Sequence, residues 1–161
     1  MPVMAEDVRH YCVQLAASTV GVGRVRRATG KVLHDWGLAE LVDVAEVLLT
    51  ELLTNVLVHV GPGAWHALTL LHDGDLLRVE VRDSSPRLPV ARIGTWDEES
   101  GRGLRMIDGL AHAWGADRLP PGKVVWFTLP DIVRPTSCDR SPGVDFARPA
   151  SCERRRVADS V

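Results

Sequence analysis

The segment EVLLTELLTNVLVHV, residues 46–60, constrains the fold more than any other part of the chain, because apolar residues occupy most of its helical wheel. At about 100° per residue, Asp43, Glu46, Thr50 and Thr54 share one sector that can face water, so the rest of the helix has to be covered. Asn55 and His59 fall among Val44, Leu48 and Leu52, with Glu51 at the edge of the wet sector. A buried amide or carboxylate left without a partner costs about 1–3 kcal/mol, so Glu51 and Asn55, one turn apart, must meet something polar. Two readings stand: a core Asn satisfied by backbone beside a Glu that reaches solvent, or a pair held for a ligand.

The flanking sequence supplies what covers this helix. It is predicted over about 39–59 and ends at Gly61-Pro62-Gly63, which breaks it and turns the chain. Residues 65–72 then read as a strand leading into Asp73-Gly74, a hairpin signal, after which Leu77, Val79 and Val81 alternate with Arg78, Glu80 and Arg82. That alternation gives the sheet one core face and one polar face. Upstream, residues 8–15 read as a first strand, and Ser18 or Thr19 caps a helix running to about Trp36, with Gly37 as its stop. Gly21 and Gly23 fit the first turn of that helix better than a phosphate loop, since the rest of the motif is missing.

Downstream, Pro86, Pro89 and Gly94 mark a loop to about Ser100, long enough to act as a lid. GRGLRMIDGLAHAW restores helical spacing through Leu104, Ile107, Leu110 and Ala111. Residues 114–119 and 124–129 then read as two strands joined through Pro120-Pro121-Gly122-Lys123. The order β, α, α, β, β, loop, α, β, β lacks regular βαβ alternation. It predicts an α+β two-layer sandwich, with a mixed, mostly antiparallel sheet covered on one face by helices.

With 161 residues and 45% hydrophobic content, the chain suffices for one domain, expected over 1–130, and a tail over 131–161, expected to be disordered, in which Pro135, Pro142 and Pro149 alternate with Ser and charge. Arg154-Arg155-Arg156 in that tail reads as solvated charge. The net charge of -2 and a pI near 6.3 give no basic field, so neither nucleic acid nor an anionic membrane is an expected partner. Cys12, Cys138 and Cys152 are odd in number and widely spaced, which supports neither a disulfide framework nor a zinc site. Without a secretory leader or an apolar run of about 18 residues, a cytoplasmic location is expected.

Four signals carry chemistry. A glycine turn at a helix start, Gly101-Arg102-Gly103, exposes backbone N–H groups and the positive end of the helix dipole, which suits phosphate oxygens. The carbonyl oxygen of Asn55 is a hard donor that can ligate Mg²⁺ beside phosphate and water. Glu51, one turn earlier, is placed to orient or deprotonate the group that attacks a γ-phosphate. Asp83, at the end of a strand, can accept hydrogen bonds from an exocyclic amine such as that of adenine. Arg102 and Arg105 flank the glycines where phosphate charge would lie, and Arg87 and Arg92 stand in the lid segment with them.

Taken together, these residues resemble the GHKL ATP-binding superfamily, and within it the bacterial anti-sigma-factor serine kinases and their single-domain relatives, over about Tyr11 to Pro130. ELLTNVLVH resembles the N box, VEVRDSSPRLP the adenine-site box, GRGLRMIDGLAHAWG the glycine-rich box and GKVVWFTLP the final strand. The resemblance implies a Bergerat-type, histidine-kinase-like ATPase fold with ATP and Mg²⁺ as cofactors. In it Glu51 is the general base or water-orienting residue, Asn55 the Mg²⁺ ligand and Asp83 the adenine-binding carboxylate, while Gly101, Gly103 and Leu104 border the phosphates. His59 also matches a common family position. The implied activity is that of a protein serine/threonine kinase, with an anti-anti-sigma (STAS-like) protein and a sigma factor as partners and a homodimer as the assembly.

The sequence departs from the family where many members have Asp-x-Gly-x-Gly. Here Asp83-Ser84-Ser85-Pro86-Arg87 lacks both glycines, and Pro86 fixes φ and removes an amide donor. Val124 and Val125 stand where relatives often place a Thr hydroxyl near the base. A stiffer loop and a weakened or conditional nucleotide affinity are therefore expected, and a non-enzymatic regulator acting through protein contacts is the competing reading. An ATPase that drives large motions would need further domains to transmit them.

Overall fold

The computed structural model of the chain describes residues 8–88 and 107–131, and in them the alternating segments become one antiparallel sheet. Its strands are β1 (Arg9–Ala16), β2 (Trp65–His72), β3 (Leu76–Asp83), β4 (Ala113–Leu119) and β5 (Gly122–Pro130), in the spatial order β1-β2-β3-β5-β4. Every pairing among them is antiparallel. The β2–β3 hairpin turns at Asp73, whose Oδ1 accepts from the amides of Asp75 and Leu76 at 3.0 and 2.9 Å, as an Asx turn requires.

Two helices cover one face of this sheet. Helix α1 (Thr19–Asp35) begins at Ser18, whose extended backbone and hydroxyl cap the first turn by accepting from the Gly21 amide at 2.9 Å. Gly21 therefore serves the helix start. A short 3₁₀ turn, Ala39–Leu41, precedes α2 (Val42–His59), so the single helix expected from residue 39 is divided at its first turn.

Helix α2 buries Ala45, Leu48, Leu49, Leu52, Leu53 and Val56. These pack with Leu68 and Leu70 of β2, Leu77, Val79 and Val81 of β3, and Val125, Phe127 and Leu129 of β5. At about 1.5–3 kcal/mol for each fully buried aliphatic side chain, this seam is the main driving force for docking the helix. Ile107, in a helical stretch over residues 107–110, is fully buried in the same core, whereas Leu110, expected beside it, is exposed.

The second face of the sheet carries the alternate residues. Arg78 stacks over the Trp126 ring at 4.1 Å and pairs with Glu80 at 2.7 Å, while the Trp126 indole N–H donates to Asp117 at 3.0 Å. That face is polar as expected, yet Glu80 and Thr128 on it are buried. Cys12 of β1 also lies there and is disulfide-bonded, against the expectation of no disulfide; no other cysteine falls among the described residues. Among the described residues no helix is long and apolar enough to cross a membrane.

Candidate functional site

The sheet register brings the strand end that holds Asp83 next to the turn that follows α2. Gly61 and Gly63, at φ of 123° and 77°, reverse the chain after α2. The Gly63 amide bonds to the Ala17 carbonyl at the end of β1, and the Ala17 amide to that of Ala64. Strand β2 starts two residues later, with His66 opposite Asp83, and Asp83 in turn is opposite Lys123 of β5. The C-terminal half of α2, with Glu51 and Asn55, thus runs toward the end of the sandwich where His66, Asp83 and Lys123 form one cross-strand row.

Glu51 and Asn55 are both half-buried, and neither makes a side-chain hydrogen bond or ion pair among the described residues. Among the described residues no backbone group bonds the Asn55 side chain, as a core Asn satisfied by backbone would require. Helix geometry keeps the two on adjacent turns of one face. His59, expected among the apolar residues, is exposed instead, because it is the last residue of α2 and the covering layer ends with it.

Asp83 behaves differently. It is 1% exposed, its Oδ1 accepts from the Ser85 amide at 2.8 Å, and the ammonium of Lys123, itself 7% exposed, lies 3.0 Å from Oδ1 and 2.9 Å from Oδ2. The same ammonium reaches the Ser85 carbonyl at 3.4 Å. Gly122 makes this approach possible: a Cβ there would lie 1.8 Å from the Asp83 carbonyl oxygen and 2.8 Å from the Ser84 Cα. His66, on the other side of the row, donates from Nδ1 to the Ala64 carbonyl at 3.4 Å. Burial lowers its pKa below the ordinary 6.5, against smaller upward pulls from that carbonyl and from Asp83. The imidazole is therefore neutral at pH 7.

Arg87 is exposed in the segment after Asp83, with its amide on the Ser85 hydroxyl at 3.4 Å. Gly101, Arg102, Gly103, Leu104, Arg105, and with them Arg92, lie outside the described residues. Sequence reasoning missed Lys123 and His66. Both share the alternation of the core: Lys123 is in phase with Val125, Phe127 and Leu129, and His66 with Leu68 and Leu70. A charged residue in core phase at a strand end was the signal that could have found Lys123.

The profile of the histidine kinase-like ATPase domain matches residues 15–129, a span from the end of β1 to the end of β5. The chain belongs to this family. It is also 42% identical over 74 residues to an uncharacterised protein of Streptomyces coelicolor, an alignment covering 44% of this chain and 70% of that protein. As a histidine-kinase-like ATPase domain of the GHKL superfamily, it is a nucleotide-binding domain of a family that usually works with Mg²⁺.

The residues of α2 fit such a cofactor. Asn55 offers a carbonyl oxygen, without a partner among the described residues, of the kind Mg²⁺ accepts while it keeps several waters, and no cluster of three or more His, Cys, Asp or Glu side chains forms a rival metal site among the described residues. Asp83 does not fit an adenine amine as it stands. Three hydrogen bonds already engage its carboxylate, out of roughly four lone-pair sites, and almost none of it is accessible.

Proposed function

We propose that this domain is an ATP- and Mg²⁺-dependent protein serine/threonine kinase of the anti-sigma-factor type. In this reading it phosphorylates an anti-anti-sigma (STAS-like) protein and sequesters a sigma factor once that protein is modified. The observation that supports it is the pair on α2: a carboxylate and an amide one turn apart, half-buried and without partners among the described residues. A carboxylate and an amide that stay one turn apart and half-exposed on an otherwise apolar helix are available to a ligand.

In that role Asn55 ligates the metal that neutralises the phosphates, and Glu51 accepts the proton of the attacking serine or threonine hydroxyl. Arg87, Arg102 and Arg105, with the backbone of Gly101, Gly103 and Leu104, serve the phosphate oxygens. The metal, when bound, supplies charge neutralisation on the transferring group.

A second reading has its own support. The Asp83–Lys123 pair and the loss of both loop glycines favour a regulator that binds nucleotide weakly or works through protein contacts alone. Incubating the protein with radiolabelled ATP, Mg²⁺ and candidate STAS-like proteins separates the two. Label transferred to the partner, and abolished by Glu51→Ala, supports the kinase. Measurable nucleotide binding with no transfer to any of several partners overturns it in favour of the regulator.

A further inference from the structure

Lys123 stands at the base end of the site, where a purine amine would need the carboxylate. Its three N–H groups have three acceptors within reach, Asp83 Oδ1, Asp83 Oδ2 and the Ser85 carbonyl, at 3.0, 2.9 and 3.4 Å. The strand pairing holds the two side chains side by side. Asp83 and Lys123 are register partners, and the absent side chain of Gly122 lets β5 press directly on the Asp83 carbonyl and the Ser84 backbone. Among the described residues Lys123 is the one cationic group paired with Asp83, because His66 is neutral and Arg118, the β4 register partner of Lys123, is exposed. The ammonium can leave only through rotation of its own long side chain.

We propose that Lys123 is a specificity-determining gate of the nucleotide site: its ammonium occupies the Asp83 carboxylate until an incoming purine amine displaces it. The inference rests on the reading that nucleotide binds at Asp83. It means that the domain carries its own competitor for the base, so that affinity for adenine nucleotides is lowered by the strength of the internal pair.

The consequence opposes simple electrostatics, which makes it testable. Removing a positive charge near an anionic ligand ordinarily weakens binding. Lys123→Met keeps the aliphatic stem, deletes the ammonium and leaves Asp83 short of partners, so an adenine amine gains an open acceptor.

Nucleotide affinity is measured by calorimetric titration of ATP and ADP, and of inosine triphosphate, which carries a carbonyl in place of the amine, into wild type, Lys123→Met, Lys123→Arg and Asp83→Asn. Lys123→Met is expected to bind ATP roughly tenfold tighter or more, with no such gain for inosine triphosphate. Lys123→Arg, whose fork grips the carboxylate more firmly, is expected to bind ATP more weakly than wild type. Equal or weaker ATP binding by Lys123→Met overturns the gate; if Asp83→Asn still abolishes binding, the site itself stands. Equal gains for both triphosphates also overturn it, since the base amine is then not what displaces Lys123. Should Lys123→Met fail to fold, Lys123→Arg decides alone, and ATP affinity at or above wild type overturns the proposal. No binding by any of the folded proteins overturns the gate and the underlying nucleotide reading together.

Discussion

The polar pair on α2 and the polar pair at the end of the sheet solve the same problem in opposite ways. Glu51 and Asn55 are half-buried and unpartnered among the described residues, whereas Asp83 and Lys123 are nearly inaccessible and paired with one another. A half-exposed polar group with no partner among the described residues is open to water or to a ligand. A buried ion pair is its own partner, and breaking it is far more costly than never having made it. One end of the candidate site is thus held available by the fold and the other is held closed by it.

The sharpest way to break this contrast is Asp83→Ala. It strands the Lys123 ammonium in the seam between β3 and β5 and removes the acceptor for the Ser85 amide. A loss of about 3–5 kcal/mol is expected in urea unfolding, and a fall in Tm on the order of 10 °C. A loss below 1 kcal/mol would show that the pair is not closed in solution. Gly122→Ala tests the same seam through the backbone. The added methyl meets the Asp83 carbonyl carbon at 2.7 Å and its oxygen at 1.8 Å, so the strands must part, at an expected cost of about 1–3 kcal/mol by the same measurement.

The two pairs also differ in how legible they were. Glu51 and Asn55 stand out in sequence because a helix repeats locally, so their intrusion into an apolar run of one segment is visible without knowing any long-range contact. The caps and turns at Ser18, Gly61-Pro62-Gly63 and Asp73-Gly74 were legible for the same reason, each being decided within a few residues. The Asp83–Lys123 contact spans 40 residues and depends on β5 inserting between β3 and β4 in one register. Nothing local dictates that order. The carboxylate could therefore be assigned a ligand from its position at a strand end while its resident partner went unseen. His59 failed in the other direction: its place on the helical wheel was right, but the covering layer stops where α2 stops.

His66 gives a smaller, pH-dependent handle on the closed end. Burial holds its pKa below the 6.5 of the unfolded chain, so between the two values the unfolded state binds more protons than the folded one. Stability then rises with pH through that window and is lost as pH falls below 6.5. The slope from one proton cannot exceed about 1.4 kcal/mol per pH unit. Urea unfolding of wild type and His66→Asn at several pH values isolates it, and the difference between the two curves should be flat above neutrality and bend below 6.5. A difference that stays flat throughout would mean that the imidazole is solvated in the folded protein.

The smallest stability effects are expected at the open end, and that is what makes them informative. Asn55→Ala removes a side chain with no described partner and puts the best helix former in its place, so unfolding free energy should change by less than about 0.5 kcal/mol. Glu51→Ala should behave alike. Under the proposed roles function should separate them: Asn55→Ala is expected to weaken nucleotide binding when Mg²⁺ is present and to leave the metal-free affinity unchanged, because only the proposed metal ligand is lost. In the same proposal Glu51→Ala is expected to leave both affinities near wild type and to remove phosphoryl transfer, because the proposed base acts on the attacking hydroxyl and not on the bound nucleotide. If either substitution destabilises the domain by as much as Asp83→Ala, the α2 pair is a structural element, and the availability that distinguishes it from the sheet-end pair is lost.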